Sequence, residues 1–483
     1  MIVLLLLSFL VSIALGAALL RMLWPRDAAT LPGPLGVALA VALGAGVSAV
    51  LLFAWLLAFG PGRGVVFAET GLLGLVALAV LWRRRASPAA PPRSAAPEAG
   101  FPSWLVPVAL VMLATAAAAF ASTLIQHPHG DWDAWMNWNL KARMFFRGGE
   151  GWRAAFSPAI PWSHPDYPVM VPSLVARSWL YAGGETLLGP GLVAATFTFG
   201  TIALLASALA ALRGIGQALL ASIVLVSTPV FLIQGTWLYA DVPVGLFFLA
   251  AFVCLALDAR YGELTRRFAV LAGIAAGLSM WTKNEGLLFT SAVGAALVLD
   301  AGAAGRAAAR RRLVAFGIGV LPLALVTAGY KVAFAPPNDL ISTLGIDQTL
   351  GNLTSLARYH VTLREYVLHV SGFGSNGFGS ATWLLVAYLL GAGVDRSAID
   401  RRWVRVGATA LVLVLLGHFM VFVGMAHELS RLLASSLDRL LVQLWPSALF
   451  LFFLVARVPG KGAVTALTRA RSQRMTGSSA GAP

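Results

Sequence analysis

The chain has 483 residues, 59% of them hydrophobic and only 11% charged, with a mean hydropathy of +0.81. A water-soluble chain carries charge on roughly a quarter of its positions, so this composition excludes a soluble domain and points to an all-α polytopic membrane protein. The net charge of +15 would suit nucleic acid, but the arginines lie in short loops between apolar runs, as the positive-inside rule requires, and no nucleic-acid partner follows.

Met1–Leu20 has neither a positive n-region nor a small-residue cleavage site and is expected to be a retained spanning helix rather than a signal peptide. Apolar runs at 2–20, 36–59 and 65–82 predict a three-helix membrane unit over 1–85. A Pro/Ala-rich stretch, 86–103, follows Arg83–Arg85 and reads as a cytoplasmic linker. With Arg83–Arg85 inside, the run 104–124 travels outward and delivers a large loop, 125–186, to the outer face. Further runs at 187–212, 215–235, 241–257, 268–282, 285–301, 313–335, 380–394, 404–425 and 441–457 bring the expected spans to 13, with the N-terminus outside. Every arginine-dense short loop then falls on one side. The expected organisation is a core over 104–335, C-terminal helices and outer loops over 336–457, and a basic, disordered cytoplasmic tail over 458–483. Cys254, the only cysteine, lies in an apolar run and excludes an intramolecular disulfide.

Polar residues gather at the outer ends of these runs. Gly130–Arg143 holds two carboxylates, three tryptophans, two amides and two cations. Asp131 is expected to cap a helix starting at Trp132, which would align Asp133, Asn137 and Lys141 on one face and Trp135, Trp138 and Ala142 on its neighbour. Such a helix would lie on the membrane with its tryptophans at headgroup level. His164-Pro-Asp-Tyr-Pro168 is a rigid turn carrying an imidazole, Asp166 and Tyr167, and Val169–Leu180 reads as a second surface helix. Asp241 opens a later run, with Pro243 in its first turn, so a plain N-cap role is open beside a functional one. Trp281–Gly286 interrupts two runs with Lys283 and Glu285, either a snorkelling pair or partners of a lipid phosphate. His427-Glu428 and Asp438-Arg439 close the outer surface, where Arg439 could clamp a phosphate. Gly372–Gly377 matches a dinucleotide fingerprint but lacks a preceding strand, and Asn352-Leu-Thr354 fits a glycosylation acceptor that matters only in a host using it.

An aspartate opening the first large outer loop, a helix ending in Lys141-Ala-Arg-Met144, a proline-flanked turn and an acidic residue opening a later span resemble the GT-C membrane glycosyltransferases. Among these, the chain is most similar to the protein O-mannosyltransferases and the aminoarabinose transferases. The resemblance implies a GT-C-like bundle with a helical first outer loop, a polyprenyl-phosphate-linked sugar donor among membrane lipids, and a protein, lipid or polysaccharide acceptor. It also implies a bacterial inner membrane with the site on the periplasmic face. Asp133 matches the loop aspartate that acts as base and Asp241 the second acidic position; Asp131 completes the candidate catalytic carboxylates. Lys283 matches the lysine of Gly277-Leu-Ser-Met-Trp-Thr-Lys283 and, with Lys141, Arg143 and Arg439, would neutralise the departing phosphate. Trp135, Asn137, His164, Asp166, Tyr167 and Glu285 would line the substrate. A divalent metal, Mg or Mn, bridging Asp133 and Asp241 is open, although no compact ligand cluster demands it. The chain departs from the family in having Asp133-Ala134 for Asp-Glu and His164-Pro-Asp166 for Lys-Pro-Pro. Two other readings stay open, a lipid or polysaccharide transporter or flippase and a non-catalytic GT-C-like assembly subunit.

Overall fold

A computed structural model of the chain describes residues 1–24, 33–85, 101–261, 266–301, 305–337, 346–375, 379–395, 401–424 and 429–457. Most of the linker, the tail 458–483, His427-Glu428 and part of Gly372–Gly377 lie outside them. Helices dominate and no strand occurs among the described residues. Backbone groups in a bilayer must be satisfied within their own segment, which a helix does.

The chain runs through α1 (Ile2–Leu23), α2 (Gly33–Phe59), α3 (Gly64–Arg85) and α4 (Leu105–Gln126) into the large loop. That loop contains a π-helical turn (Ala134–Trp138), α5 (Asn139–Arg147), two 3-10 turns and α6 (Met170–Ala182). Then come α7 (Leu188–Leu212), α8 (Ile215–Val226), α9 (Pro229–Thr236), α10 (Asp241–Tyr261), α11 (Arg267–Thr282), α12 (Glu285–Leu299) and α13 (Arg306–Ala333). The last described elements are α14 (Ile346–Thr354), α15 (Leu356–Gly372), α16 (Ala381–Ala392), α17 (Arg402–Gly424) and α18 (Leu429–Val455).

Eight described helices, α1, α2, α4, α7, α10, α13, α17 and α18, are long and apolar enough to cross a membrane. The chain is thus a multi-pass helical membrane protein by length and composition. The expected single run 215–235 is instead two helices bent by 65°, which would make a ninth span if counted as one. Pro229 causes the break: it lacks an N–H for the helix ladder and pushes Thr228 before it into the extended region, at ψ 100°. Helical segments also occupy the other four runs, in α3, α11, α12 and α16, with apolar helical stretches of 10–17 residues among the described side chains.

Small residues set the closest helix contacts. A Cβ on Gly16 would stand 2.0 Å from the Ala40 carbonyl oxygen, and one on Gly44 2.0 Å from that of Ser12. Beside them the Ser12 and Ser48 hydroxyls bond at 2.9 Å. The α11–α13 pair repeats the arrangement through Gly273 and Gly319, where a Cβ would approach the Phe316 and Val270 carbonyls to 2.0 and 2.1 Å. Without a hydrophobic drive between helices in lipid, such backbone approach is a main source of association.

α6 is not a surface helix. All 13 of its residues are buried, packed against α1, α2 and α7. Its Arg177 explains why: Nε and Nη2 donate to the Glu69 carboxylate of α3 at 2.7–2.9 Å, Nη1 donates to the Ser8 carbonyl of α1, and the Tyr181 hydroxyl donates to the same carboxylate. The N-terminal helices are therefore tied to the loop by a buried ion pair.

Two polar layers cap the bundle. At one end the arginine-bearing loops pair locally: Arg213 with Asp395 (2.9 Å), Arg312 with Asp258 (3.0 Å), and Arg402 with Asp300 (2.6 Å). α10 and α18 run from this layer to the other, where the remaining ionisable groups converge.

Candidate functional site

Asp241, the first residue of α10, is fully buried and sits at the centre of that second layer. Its Oδ1 accepts from Lys283 Nζ at 2.9 Å and from Gln443 Nε2 at 2.7 Å. Its Oδ2 accepts from Arg439 Nε and Nη2 at 3.2 and 3.1 Å. Each partner is delivered by local folding: Lys283 by the two-residue break between α11 and α12, and Arg439 and Gln443 by successive turns of α18. The bridge continues outward, because Arg439 Nη2 also donates to Asp133 Oδ2 at 2.6 Å. Asp133 and Arg439 are partly exposed, 17% and 23%, so the network rises from a dry base to an accessible rim.

Asp131 does not cap with its side chain. Its backbone carbonyl receives the N–H of Ala134 and Trp135, while its carboxylate accepts the Tyr239 hydroxyl at 3.0 Å. Burial, then the Asp133 and Asp131 charges, raise the Tyr239 phenol well above its ordinary range and keep it a donor. The Tyr239 ring in turn lies 4.6 Å from the Arg439 guanidinium.

The π-turn changes the expected faces. It inserts extra chain into the first turn, so Asn137, Trp138, Lys141 and Ala142 are all buried while Trp135 remains 42% exposed. The segment is a packed wall of the site, with only Trp132 and Trp135 standing out. Lys141 lies beneath the proline-flanked turn and donates to the His164 carbonyl at 2.7 Å. Burial pushes its ammonium down to about 7, despite the nearby Asp166. Arg143 points elsewhere, 3.6 Å from Glu185, which Arg147 also grips.

The turn itself is held from several sides. His164 adopts a left-handed conformation, φ 45°, with its ring stacked on Tyr167. Asp166 accepts from Asn284 Nδ2 at 3.0 Å and faces Lys331 Nζ at 3.5 Å. The Tyr330 hydroxyl is 2.7 and 2.8 Å from the carbonyls of Pro165 and Tyr167, and Lys331 donates to that of Asp166. Tyr167 stacks against Trp138 and has the Lys283 ammonium 5.9 Å from its ring. Glu285 completes the base of the network, 2.9 Å from Lys283.

The structure thus joins Asp131, Asp133, Asp241, Lys283, Glu285 and Arg439 in one network, with Asp166 and Tyr167 beside it. Lys283 is consumed at the dry base by two carboxylates, and Lys141 and Arg143 face other partners. Among the expected phosphate cations, Arg439 alone both belongs to this network and is partly exposed. Gln443, Tyr239, Asn284, Tyr330 and Lys331 were absent from the sequence expectation. Gln443 could have been found as the one amide in the final apolar run, four residues after Arg439. Both amide atoms of buried Asn137, Glu285 Oε2 and Gln443 Oε1 have no protein partner among the described residues, which leaves hydrogen-bonding capacity open for water or a bound polar group.

Asp133 and Asp241 do not make a fitting metal site. One guanidinium nitrogen already binds both, and no group of three or more His, Cys, Asp or Glu side chains that could hold a metal ion occurs among the described residues. No protein-family model, curated protein or solved structure matches the chain.

Proposed function

We propose that the chain is a membrane glycosyltransferase that moves a sugar from a polyprenyl-phosphate donor to a hydroxyl-bearing acceptor on the outer face of a bacterial inner membrane. The observation that carries this reading is the sharing of Arg439 between Asp133 at the rim and Asp241 beneath it. In this reading the bundle crosses the membrane thirteen times, with the four shorter helices and the bent α8–α9 pair completing the eight long spans. The phosphate of a lipid-borne donor is held at headgroup depth, where the cluster would lie.

The chemistry is a single displacement. An acceptor oxygen attacks the anomeric carbon, the bond from that carbon to the phosphate oxygen breaks, and the phosphate leaves with the electron pair. Arg439 is the cation that receives it. A phosphate competing for Arg439 loosens its hold on Asp133, so donor arrival frees the Asp133 carboxylate to take the acceptor's proton. Asp241, fixed by Lys283 and Gln443, keeps Arg439 from following its ligand away. The energetic logic is that both partners of Arg439 are preorganised before the charge on the leaving group develops.

The test uses the purified full chain in lipid nanodiscs with a panel of polyprenyl-phosphate sugars, reading release of polyprenyl phosphate. Wild type is expected to release it, and Asp133→Asn, folded but unable to take a proton, to fall by about 100-fold or more. Undiminished release by folded Asp133→Asn overturns the assignment of the base. No release by wild type with any donor or acceptor overturns the transferase reading.

A further inference from the structure

A wide-mouthed, shallow cleft of about 460 Å³ is lined by Gln126, His127, His129, Gly130, Trp135 and Arg143, residues that flank Asp131 and Asp133 in the chain. Its size is that of a small-molecule site, ~300–1,000 Å³. We infer that it is the acceptor subsite and that its ligand is a saccharide, an inference that rests on the transferase reading given above.

Continuity of the backbone comes first. Gly130 forms part of the cleft and is followed directly by Asp131, while Trp135 lies two residues beyond Asp133. Gly130 has φ 72°, and a Cβ on it would stand 2.5 Å from the Trp237 carbonyl oxygen, so this strip of chain is pressed against the α9–α10 corner that carries Asp241. Cleft and carboxylates therefore share a rigid wall. An acceptor seated here presents its hydroxyl to that wall.

The lining chemistry then selects the ligand class. Trp135 offers an exposed ring, held edge-on by Trp132 at 5.0 Å, and a flat aromatic face packs well against the C–H face of a pyranose. Around it stand an amide, two imidazoles and a guanidinium, planar groups whose donors and acceptors match vicinal hydroxyls. Gln126 donates from its Nε2 to the Ser122 hydroxyl at 3.0 Å, which leaves its carbonyl oxygen available as an acceptor. Arg143 is steadied by Glu185 and by the Trp179 ring 6.0 Å away, and Asn139 reaches the His129 carbonyl at 3.4 Å. Tryptophans serving only as a headgroup belt would not need four hydrogen-bonding side chains gathered at one cleft.

Saturation-transfer NMR on the nanodisc-embedded chain tests this with methyl glycosides and disaccharides of glucose, galactose, mannose and glucuronic acid. At least one should bind wild type, and binding should weaken about tenfold or more in Trp135→Ala and in His129→Ala. Trp162→Ala, at another exposed tryptophan, should bind as wild type does. Trp135 is 42% exposed, so the helical circular dichroism of Trp135→Ala is checked first, and His129→Ala, at an exposed side chain, provides an independent check. Absence of saccharide binding to wild type, or equal binding by both cleft variants, overturns the inference. Polyprenyl-phosphate release by wild type in the absence of acceptor, with water as the attacking oxygen and its proton passing to Asp133, reports the donor site alone. Release without saccharide binding thus refutes the cleft and keeps the transferase; saccharide binding without release keeps a saccharide site but overturns both the transferase and the acceptor role.

Discussion

Removing Glu69 should cost far more than an ordinary ion pair is worth. In Glu69→Leu, the Arg177 guanidinium loses three short contacts to the carboxylate and keeps the Ser8 carbonyl at 2.8 Å and the Tyr181 ring at 4.6 Å, neither of which carries a compensating charge. The pair is almost completely buried, 3% and 1% exposed, so the stranded cation has no water to turn to. A buried charge deprived of its partner costs about 3–5 kcal/mol, whereas an exposed pair is worth ~0–1 kcal/mol. Arg177→Met strands the carboxylate with only the Tyr181 hydroxyl at 2.7 Å and should cost a similar amount. The double variant leaves no unpaired charge, and replacing both ions by apolar groups is often close to neutral. Unfolding of the four proteins in detergent micelles, read as a double-mutant cycle, should therefore show the double change costing less than either single one. Single losses below about 1 kcal/mol, or losses that simply add, would refute the view that this pair fastens α6 to the N-terminal helices.

Lys141 gives a pH signature. Its ammonium is pushed down to about 7 in the fold from an ordinary 10.5, so between those values the unfolded chain binds more protons and stability must rise with pH. The wild-type unfolding midpoint should climb relative to that of Lys141→Met from pH 7 towards 10.5 and level off above it; a constant difference between the two contradicts the burial argument. Gly44→Ala and Gly319→Ala both place a Cβ 2.0–2.1 Å from a backbone carbonyl oxygen, and each should lower stability by about 1–3 kcal/mol or more, measurable by the same unfolding assay. Gly294→Ala, with open space around it, is the control and should be close to neutral. Gln443→Leu should weaken donor turnover without abolishing it, because Asp241 retains Lys283 and Arg439; turnover equal to wild type would remove Gln443 from the site.

The helical membrane class and the clustering of charge were readable because ionisable groups are so costly in apolar runs that their positions carry information. Asp133, Asp241, Lys283 and Arg439 stand out for that reason alone, and the structure joins them. Their roles were less readable. Lys283 and Arg439 look alike in sequence, yet one is buried between two carboxylates and the other stands at the rim, a difference created by packing. The π-turn defeats simple i, i+4 counting from Asp133, which is why Lys141 faces the His164 turn. α18 begins at Leu429, twelve residues before the expected run, although Leu429, Leu433 and Leu437 repeat every four residues and are all buried. An apolar window misses such an amphipathic start; a periodicity search finds it. The 65° bend follows from Thr228-Pro229, a local signal outweighed by the length of the apolar run.

Arg439 reaches back 306 positions to Asp133 and 198 to Asp241. During synthesis, those two aspartates are therefore made and threaded into the membrane long before their common cation exists. Until α18 arrives, Asp241 has Lys283 for company and Asp133 has no cation from this network. The last described helix, α18, then brings both carboxylates their shared cation. A chain that stops short of α18 would therefore carry Asp133 and Asp241 without the guanidinium they share.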